Sequence, residues 1–495
     1  MKWKLLVILI LTIIGITAAS FYFFSQKECK DCHLIVFDAD ILRADAIDCI
    51  NSPEVTPNLC ELKDEFIIFN NHYSHNDLTK PSMASFLTST YPSSHGIWNE
   101  FFYLDKKQPN ILDILKKNDY YTIITGYEGS NSQVFHDIYD EKINIDTTDI
   151  KIVDLIREQQ TFLFLYNANL HYPYLSSNES AVISHPKKPE GFPNNVPEFD
   201  DRAKDIILEK YPYVFEKPAL KKYIEDHNGS TKGIYGYLSY LCWDADIKIR
   251  LINIDACWVI TEDTFERYID KNNPDHIEFI KYLYLERLKE TDKEIGEIID
   301  NLKNNNLWNK TVFAIRSDHG EEFMEHGTLN HWNNLYEELL KVPFWIHIPR
   351  HKGREVNYLT QTIDETTTIL KAVGIEPHTL MQGRNLLDKK LDNKEFNYAI
   401  YQKIFNLTFA FKEGDYKLIS ISDTDSEDID FELYNLKEDP LEQINIVEDN
   451  LEIKEEMLNQ YYNTINDLPK YSPYNEILKK LTKEQEKNLY ENGYF

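Results

Sequence analysis

Short apolar runs alternate with longer polar stretches along most of this chain, and each run has the length of a buried strand. Residues 33–37, 122–125, 162–166 and 312–315 are such runs. Residues 275–302 instead repeat apolar side chains at helical spacing, which predicts a long helix packed on a sheet. Strands that alternate with helices are typical of a doubly wound α/β sheet flanked by helices.

The pattern changes after residue 377. Strand-like segments at 398–401 and 416–421 precede a charged helical segment at 450–468, which predicts a small antiparallel sheet with a covering helix. We therefore divide the chain into an N-terminal segment and linker (1–32), a large domain (33–377) and a C-terminal subdomain (378–495). Residues 176–260 are rich in Pro, Tyr and charge, and we interpret them as an insertion in the large domain that faces a ligand.

The N-terminal segment has the features of an export signal. Lys2 and Lys4 precede residues 5–24, which are apolar almost throughout and about long enough to span a bilayer. A cleavage site at Thr17-Ala18-Ala19 would make this a signal peptide, whereas the aromatic run 21–24 favours a membrane anchor. We expect a membrane-anchored protein whose folded part lies outside the cytoplasm, in the periplasm or the extracellular space.

Six cysteines in an exported chain predict disulfide bonds rather than catalytic thiols. Short separations favour the pairs Cys49–Cys60 and Cys242–Cys257. Cys29 and Cys32 then remain, and their C-x-x-C spacing also allows a redox or metal-binding role. The formal net charge of -29 argues against a nucleic-acid partner, because phosphate backbones bind basic surfaces.

Two pairs of metal-ligating residues each follow an apolar run. Asp318 and His319 come after residues 312–315, so they fall at the carboxyl end of a strand, where open α/β sheets carry their active sites. Asp38 and Asp40 come after residues 33–37. Both carboxylates could bind one metal if the chain stays extended, but only one if a turn begins there, and we favour Asp40.

A third segment, from Thr79 to Ser89, supplies a candidate nucleophile. Pro81 suits the first turn of a helix, so Thr79 lies at or just before a helix N-terminus, which attracts anions. A hydroxyl there that is also bound to a metal is activated toward an anionic phosphorus or sulfur centre. The alternative is that Thr79 only caps the helix.

Four separated blocks resemble the sulfatase family of the alkaline phosphatase superfamily, and together they span nearly the whole chain after its N-terminal segment. The blocks are Asp40-Ile41-Leu42-Arg43-Ala44-Asp45 with Thr56-Pro57-Asn58-Leu59; residues 79–89 with Tyr91-Pro92 and His95-Gly96; residues 317–327 with Val342-Pro343-Phe344; and residues 432–445. The last block is similar to the Leu-Tyr-Asp-Leu-x-x-Asp-Pro-x-Glu-x-x-Asn block of the sulfatase C-terminal subdomain.

The resemblance implies an alkaline-phosphatase-like doubly wound mixed sheet and assigns roles to single residues. A divalent metal would bind to a ligand set of Asp38, Asp40, Thr79, Asp318 and His319. Nitrogen from His319 favours Zn or Mn, with Ca or Mg possible. The leaving group would be protonated by His331 or by His171, which lies in a His-x-Pro-Tyr-like segment. Contacts to the substrate anion would come from Lys80, His326 and His75.

Three departures from the family pattern fall in the site itself. One is that the Gly-Lys-Trp-His type block, which contacts the sulfate in many members, has no counterpart around Gly126, Tyr127 and Glu128. Thr79 stands where sulfatases have the Cys or Ser that becomes formylglycine, and Met83 stands where they have Arg, so no formylglycine is expected. A sulfo- or phospho-Thr ester would need a second in-line attack to be cleared. The Thr nucleophile with an Asp-His metal pair also resembles phosphoethanolamine and phosphoglycerol transferases.

These sequence features leave three candidate functions. The first is metal-dependent hydrolysis of a sulfate or phosphate ester on a glycan or lipid, through Thr79. The second is transfer of a phospho-group to envelope lipids or glycans, which a membrane anchor would favour. The third is a non-catalytic binding protein with the same fold, which the Asp318-His319 pair disfavours.

Overall fold

The computed structural model describes residues 28–98, 104, 107–125, 139–143, 151–171, 174, 179–194, 268–331, 334–388, 391, 398–403, 408–422 and 429–469. These residues include sixteen strands, which form four sheets. In chain order the strands are β1 (His33–Ala39), β2 (Ile67–Phe69), β3 (His72–Tyr73), β4 (Tyr121–Thr125), β5 (Glu141–Ile143), β6 (Thr161–Asn167), β7 (Thr311–Arg316), β8 (Glu322–Phe323), β9 (Leu329–Asn330), β10 (Phe344–His347), β11 (Arg354–Val356), β12 (Thr360–Gln361), β13 (Tyr398–Lys403), β14 (Thr408–Glu413), β15 (Tyr416–Ser422) and β16 (Ile429–Asn435).

Eight of these strands form the main sheet, in the order β11-β2-β10-β7-β1-β6-β4-β5. β1 pairs in parallel with both β6 and β7, whereas β10 is antiparallel to β7 and to β2. The sheet is therefore mixed, as the resemblance implied. Its centre is β1, so residues that follow β1 and β7 emerge side by side at one edge.

Helices cover both faces of the main sheet. The α-helices are Pro57–Leu62, Thr79–Thr88, Pro92–His95, Ile111–Lys117, Ile152–Leu155, Glu179–Ser184, Pro274–Asn304, Glu337–Leu340, Thr362–Ala372 and Leu451–Asn466, with short 3-10 helices at Ala44–Ala46, Lys63–Glu65 and Trp308–Lys310. Leu34 and Val36 of β1 pack into one core with Thr79–Thr88 and Thr362–Ala372. Ile35 and Phe37 pack into the other with Pro274–Asn304. Alternate residues of β1 thus contribute to two cores, which is why residues 34–37 are apolar without a break.

The strands β13 to β16 form a four-stranded antiparallel meander, in agreement with the predicted C-terminal sheet. One face packs against Met457, Tyr461 and Ile465 of the covering helix Leu451–Asn466. The opposite face supplies Ala410 and Ile419 to a core shared with the helix Glu337–Leu340 of the large domain. The small sheet is therefore held between its own helix and the segment that follows the Asp318-His319 pair.

Two disulfides lie among the described residues. Cys49 pairs with Cys60, which confirms that prediction, and Cys29 pairs with Cys32 just before β1. Cys242 and Cys257 lie outside the described residues, as does most of the predicted insertion 176–260. Disulfides form in oxidising compartments, so both bonds fit an exported domain.

The predicted N-terminal anchor, residues 5–24, lies outside the described residues. Within the residues that are described, none of the helices combines the length and the apolar character needed to cross a membrane.

Candidate active site

β1 and β7 bring Asp40, Asp318 and His319 to one point at the carboxyl edge of the sheet. All three side chains are buried, and each offers a ligand atom within 4.8 Å of those of the other two. His319 Nε2 lies 3.8 Å from Asp40 Oδ1 and 3.6 Å from Asp318 Oδ2. The parallel pairing of the two strands causes this meeting, because residues that follow neighbouring parallel strands leave the sheet at the same edge.

Hydrogen bonds orient one oxygen of each carboxylate away from this point. Asp318 Oδ1 accepts from the backbone N–H groups of Ile41, at 3.2 Å, and His319, at 2.9 Å. Asp40 Oδ2 accepts from the Tyr166 hydroxyl. The other oxygens, Asp40 Oδ1 and Asp318 Oδ2, are buried without a hydrogen-bond partner among the described residues.

The His319 ring is oriented in the same manner. Its Nδ1 lies 2.9 Å from the carbonyl oxygen of Gly320, to which an Nδ1–H donates, so the lone pair is on Nε2. Burial lowers the pKa of His319, which favours this neutral form. Two carboxylate oxygens and one imidazole nitrogen therefore converge with their lone pairs available, which is the donor set of a divalent metal site.

The charges around this point also fit a cation. Burial, and next the adjacent Asp318 carboxylate, raise the pKa of Asp40 well above its usual range. Asp38 and Glu365 form ion pairs with the buried Arg316, and Asp40 and Asp318 are two further buried carboxylates. A divalent cation would balance the excess negative charge and keep Asp40 ionised.

Gly320 is required by a close approach of two chain segments. A Cβ at this position would lie 1.9 Å from the carbonyl oxygen of Glu338, and the Gly320 N–H donates to the carbonyl oxygen of Leu339 at 2.7 Å. Any other residue would push the Asp318-His319 turn away from the helix Glu337–Leu340.

Thr79 is the first residue of its helix and lies next to the three ligands. Leu78 rather than Thr79 occupies the N-cap position of this helix. Instead, Thr79 Oγ1 lies 3.3 Å from His319 Nε2. The structure thus brings the candidate nucleophile to the candidate metal ligands.

Asp38 lies beside this group rather than in it. The Asp38 carboxylate forms an ion pair with Arg316, which also binds Glu365 Oε2 at 2.6 Å and packs over the Phe86 ring at 4.8 Å. A turn begins at Asp40. With a turn at this position we expected only one of the two carboxylates to join the ligand group, and Asp40 is the one that lies with Asp318 and His319.

His331 and His171 lie close to the ligand group. The His331 ring centroid is 4.5 Å from that of His319 and 5.3 Å from that of His171. His171 follows β6 in a segment fixed by Arg287, which donates to the carbonyl and side-chain oxygens of Asn169 at 2.7 and 3.0 Å. Both candidate proton donors are therefore held near the candidate ligands by the fold.

The three predicted anion-binding residues lie in different surroundings. Lys80 is buried in the first turn of the helix that carries Thr79. His75 is buried with its ring edge-to-face against Tyr91, at 4.9 Å. His326 instead faces the C-terminal subdomain: it stacks on Tyr336, and its Nδ1 and Nε2 lie 2.5 Å from Glu338 Oε1 and 3.1 Å from the carbonyl oxygen of Glu442.

The contacts of His326 predict a pH-dependent contribution to stability. Although burial alone would lower it, Glu338 raises the pKa of His326 to about 9. Because the folded pKa exceeds the unfolded value of about 6.5, the stabilisation is complete below pH 6.5 and is lost as the pH rises through 9.

We expect His326→Gln to lower the free energy of unfolding by about 2 kcal/mol at pH 6 and by much less at pH 10. Urea unfolding at the two pH values measures this difference. The matched control His378→Gln changes an exposed ring and should show little effect at either pH. Equal losses from His326→Gln at pH 6 and pH 10 would contradict the charge-based account.

Sequence reasoning missed several side chains that fix the ligands. Tyr166 binds Asp40 from the neighbouring strand, Arg316 pairs with Asp38, and Glu321 lies 3.0 Å from His331 Nδ1. Glu321 follows the metal pair by two residues, and this proximity was the one signal available in the sequence. The partners of Tyr166 and Arg316 are set by strand pairing across more than a hundred residues, which a local pattern does not reveal.

Comparison with known proteins gives matches over most of the chain. The profile of the family described as Sulfatase matches residues 33–375, and that of N-sulphoglucosamine sulphohydrolase, C-terminal, matches residues 324–469. The chain is 23% identical over 345 residues to arylsulfatase K of Gallus gallus, a match that covers 66% of this chain and 60% of that protein. It is 22% identical over 507 residues to N-acetylglucosamine-6-O-sulfatase of Bacteroides thetaiotaomicron, covering 88% of this chain and 86% of that protein.

Solved structures share the fold. A protein in complex with its substrate D-glucosamine-2-N,6-O-disulfate superposes with a TM-score of 0.63 at 17% identity, over 90% of this chain and 100% of that one. The phosphonate monoester hydrolase of Agrobacterium radiobacter gives 0.58 at 14% identity, over 88% of this chain and 95% of that one. Since the family profile extends over the whole main sheet and the second profile over the C-terminal subdomain, this chain belongs to the sulfatase family of hydrolases.

Proposed function

We propose that this protein hydrolyses a sulfate or phosphate ester with Thr79 as the nucleophile and with a divalent metal ion bound by Asp40, Asp318 and His319. The distance of 3.3 Å between Thr79 Oγ1 and His319 Nε2 carries this proposal, because it brings a helix-terminal hydroxyl to the only group of three candidate ligands that is fully buried among the described residues.

The cation would be held by Asp40 Oδ1, Asp318 Oδ2 and His319 Nε2, with Asp38 close by. When bound, it supplies Lewis-acid chemistry, lowering the pKa of a hydroxyl and offsetting the charge of an anionic ester. A histidine nitrogen in the set favours Zn or Mn over Ca, which prefers oxygen ligands. Elemental analysis of the purified protein tests this: we expect Zn or Mn in stoichiometric amount, and bound calcium alone would contradict it.

The reaction follows from the positions of Thr79 and the two histidines. The Thr79 alkoxide attacks sulfur or phosphorus, and a bond from Thr79 Oγ1 forms as the bond to the alcohol oxygen breaks. The electron pair of the broken bond stays on the alcohol oxygen, which takes a proton from one of the neighbouring histidines, His331 or His171. Water then attacks the sulfur or phosphorus of the Thr79 ester and gives a proton to the same histidine. The bond to Thr79 Oγ1 breaks, the sulfate or phosphate anion is released, and Thr79 is again the alkoxide.

The substrate we propose is a sulfated or phosphorylated glycan, with a lipid ester as the alternative. Support comes from the relatives whose names record amino-sugar sulfates, namely the N-acetylglucosamine-6-O-sulfatase and the protein bound to D-glucosamine-2-N,6-O-disulfate.

Met83, which stands where sulfatases have Arg, is fully buried in an apolar core one helical turn from Thr79. Arg316 of β7 lies against the same helix, with its guanidinium over the Phe86 ring and paired with Asp38.

Turnover of 4-nitrophenyl sulfate and of 4-nitrophenyl phosphate mono- and diesters tests the proposed function. We expect release of 4-nitrophenol from at least one of these esters, with the alcohol and the free anion formed in equal amounts. Less free anion than alcohol in the presence of glycerol would favour the transferase alternative. Release from none of them, with metal bound, would favour the binding protein.

A further inference from the structure

Glu321 is a fully buried carboxylate that the reaction above does not use. Its two oxygens contact different partners: Oε1 lies 3.0 Å from His331 Nδ1, and Oε2 accepts a hydrogen bond from the Tyr174 hydroxyl at 2.7 Å. The backbone carbonyl of Glu321 also accepts from Arg43 Nη1 at 2.9 Å. Side chain and backbone of Glu321 are therefore both fixed.

The groups around Glu321 leave little room for movement. The Tyr174 ring is fully buried and packs against Tyr284 and Phe323, with ring centroids 6.2 and 5.8 Å apart. Tyr174 has a φ of 58° and Asn330, which precedes His331, has a φ of 80°. Both angles lie in the left-handed region, which costs free energy for residues other than glycine. Such strain persists where the surroundings enforce it, and it clusters at functional sites.

This arrangement selects one histidine of the pair. When Nδ1–H of His331 donates to Glu321, the ring plane is set and Nε2 is the nitrogen that exchanges a proton with a substrate. We propose that Glu321 and Tyr174 are positioning residues that hold His331 as the acid that protonates the departing alcohol oxygen, an inference that rests on the proposed function.

The test is how turnover depends on the leaving group. An acid assists the departure of a basic alcohol far more than that of an acidic one. We measure kcat/KM for substituted phenyl esters from 4-nitrophenyl to phenyl, using whichever of sulfate or phosphate the wild type hydrolyses. For Glu321→Gln and for His331→Gln we expect a loss of about 100-fold with the phenyl ester and of less than about 10-fold with the 4-nitrophenyl ester. Tyr174→Phe should show the same selectivity with a smaller loss.

Glu322→Gln is the matched control. Glu322 is the neighbouring buried carboxylate, and it accepts hydrogen bonds from the Thr328 hydroxyl and from Asn334, both at 2.6 Å, rather than from a histidine ring nitrogen. We expect this control to leave the ratio of phenyl to 4-nitrophenyl rates at the wild-type value. The double variant Glu321→Gln/His331→Gln should lose no more than His331→Gln alone, since Glu321 acts through His331.

A readout in the metal-free protein is independent of activity. With 15N-labelled histidine, the His331 Nδ1–H proton should be observed in the wild type and shifted in Glu321→Gln, with His331→Gln supplying the assignment. Equal losses for all leaving groups, or an unchanged Nδ1–H signal, would overturn the positioning role while leaving the proposed function intact. If the wild type releases no alcohol from any ester, the proposed function itself fails and the assignment of His331 fails with it.

Discussion

Thr79→Ala is expected to lower kcat by about 10⁴-fold or more while the fold and the metal content stay unchanged. Leu78 rather than Thr79 holds the N-cap position of the helix, so removal of the Thr79 hydroxyl should cost the folded state little. Its contact is with His319 Nε2, at the point where the candidate ligands converge. Steady-state turnover, thermal unfolding and elemental analysis of the same preparation measure the three quantities.

Two further variants locate the effect at the hydroxyl of residue 79. Thr79→Ser keeps the hydroxyl and should retain measurable turnover. Thr88→Ala removes a hydroxyl from the other end of the same helix, where it donates to the carbonyl oxygen of Ala84 at 2.7 Å, so it should cost about 1 kcal/mol of stability and no activity. High-resolution mass spectrometry of a quenched reaction should find a sulfo or phospho group on Thr79. Wild-type turnover by Thr79→Ala would reduce Thr79 to a structural residue.

Asp318→Asn is expected to weaken metal binding by more than about 100-fold and to lower turnover by about 10³-fold. Asparagine keeps one oxygen to accept the backbone N–H groups of Ile41 and His319, so the turn should survive. It removes the charge from the buried Oδ2 that otherwise lacks a hydrogen-bond partner within the described part of the chain. Titration of the metal-free protein with Zn and Mn, followed by calorimetry, gives the affinity, and excess metal should restore part of the turnover.

Asp292→Asn is the control for loss of a buried aspartate. Asp292 accepts from the backbone N–H groups of Asn58 and Leu59, at 3.0 and 2.9 Å, on the face of the sheet that the long helix covers. The Asp292→Asn substitution should lower the free energy of unfolding without changing the metal affinity. Unchanged metal binding in Asp318→Asn would show that the cation binds elsewhere or that none is bound.

The sequence alone predicted the parts of the site that are local in the chain. Apolar runs that end in carboxylates or in an Asp-His pair marked β1 and β7, because a strand buried on both faces leaves a continuous apolar signature. Pro81 marked the start of the helix at Thr79, because proline is favoured in the first turn of a helix. The order of the four blocks then indicated the family, which the profile over residues 33–375 confirmed.

Only the tertiary structure decided which of these residues act together. Sequence spacing left open whether both Asp38 and Asp40 or only one of them binds the cation. In the structure Asp38 pairs with Arg316 across β1 and β7, whereas Asp40 lies with Asp318 and His319. Likewise, His326 and His331 are five residues apart, yet one faces Glu338 and the C-terminal subdomain while the other lies beside His319. Strand order and register determine the partners of Asp38 and Asp40. Those partners lie 278 and 126 positions away, and the ion pair and the hydrogen bond that join them leave no periodic trace in the chain.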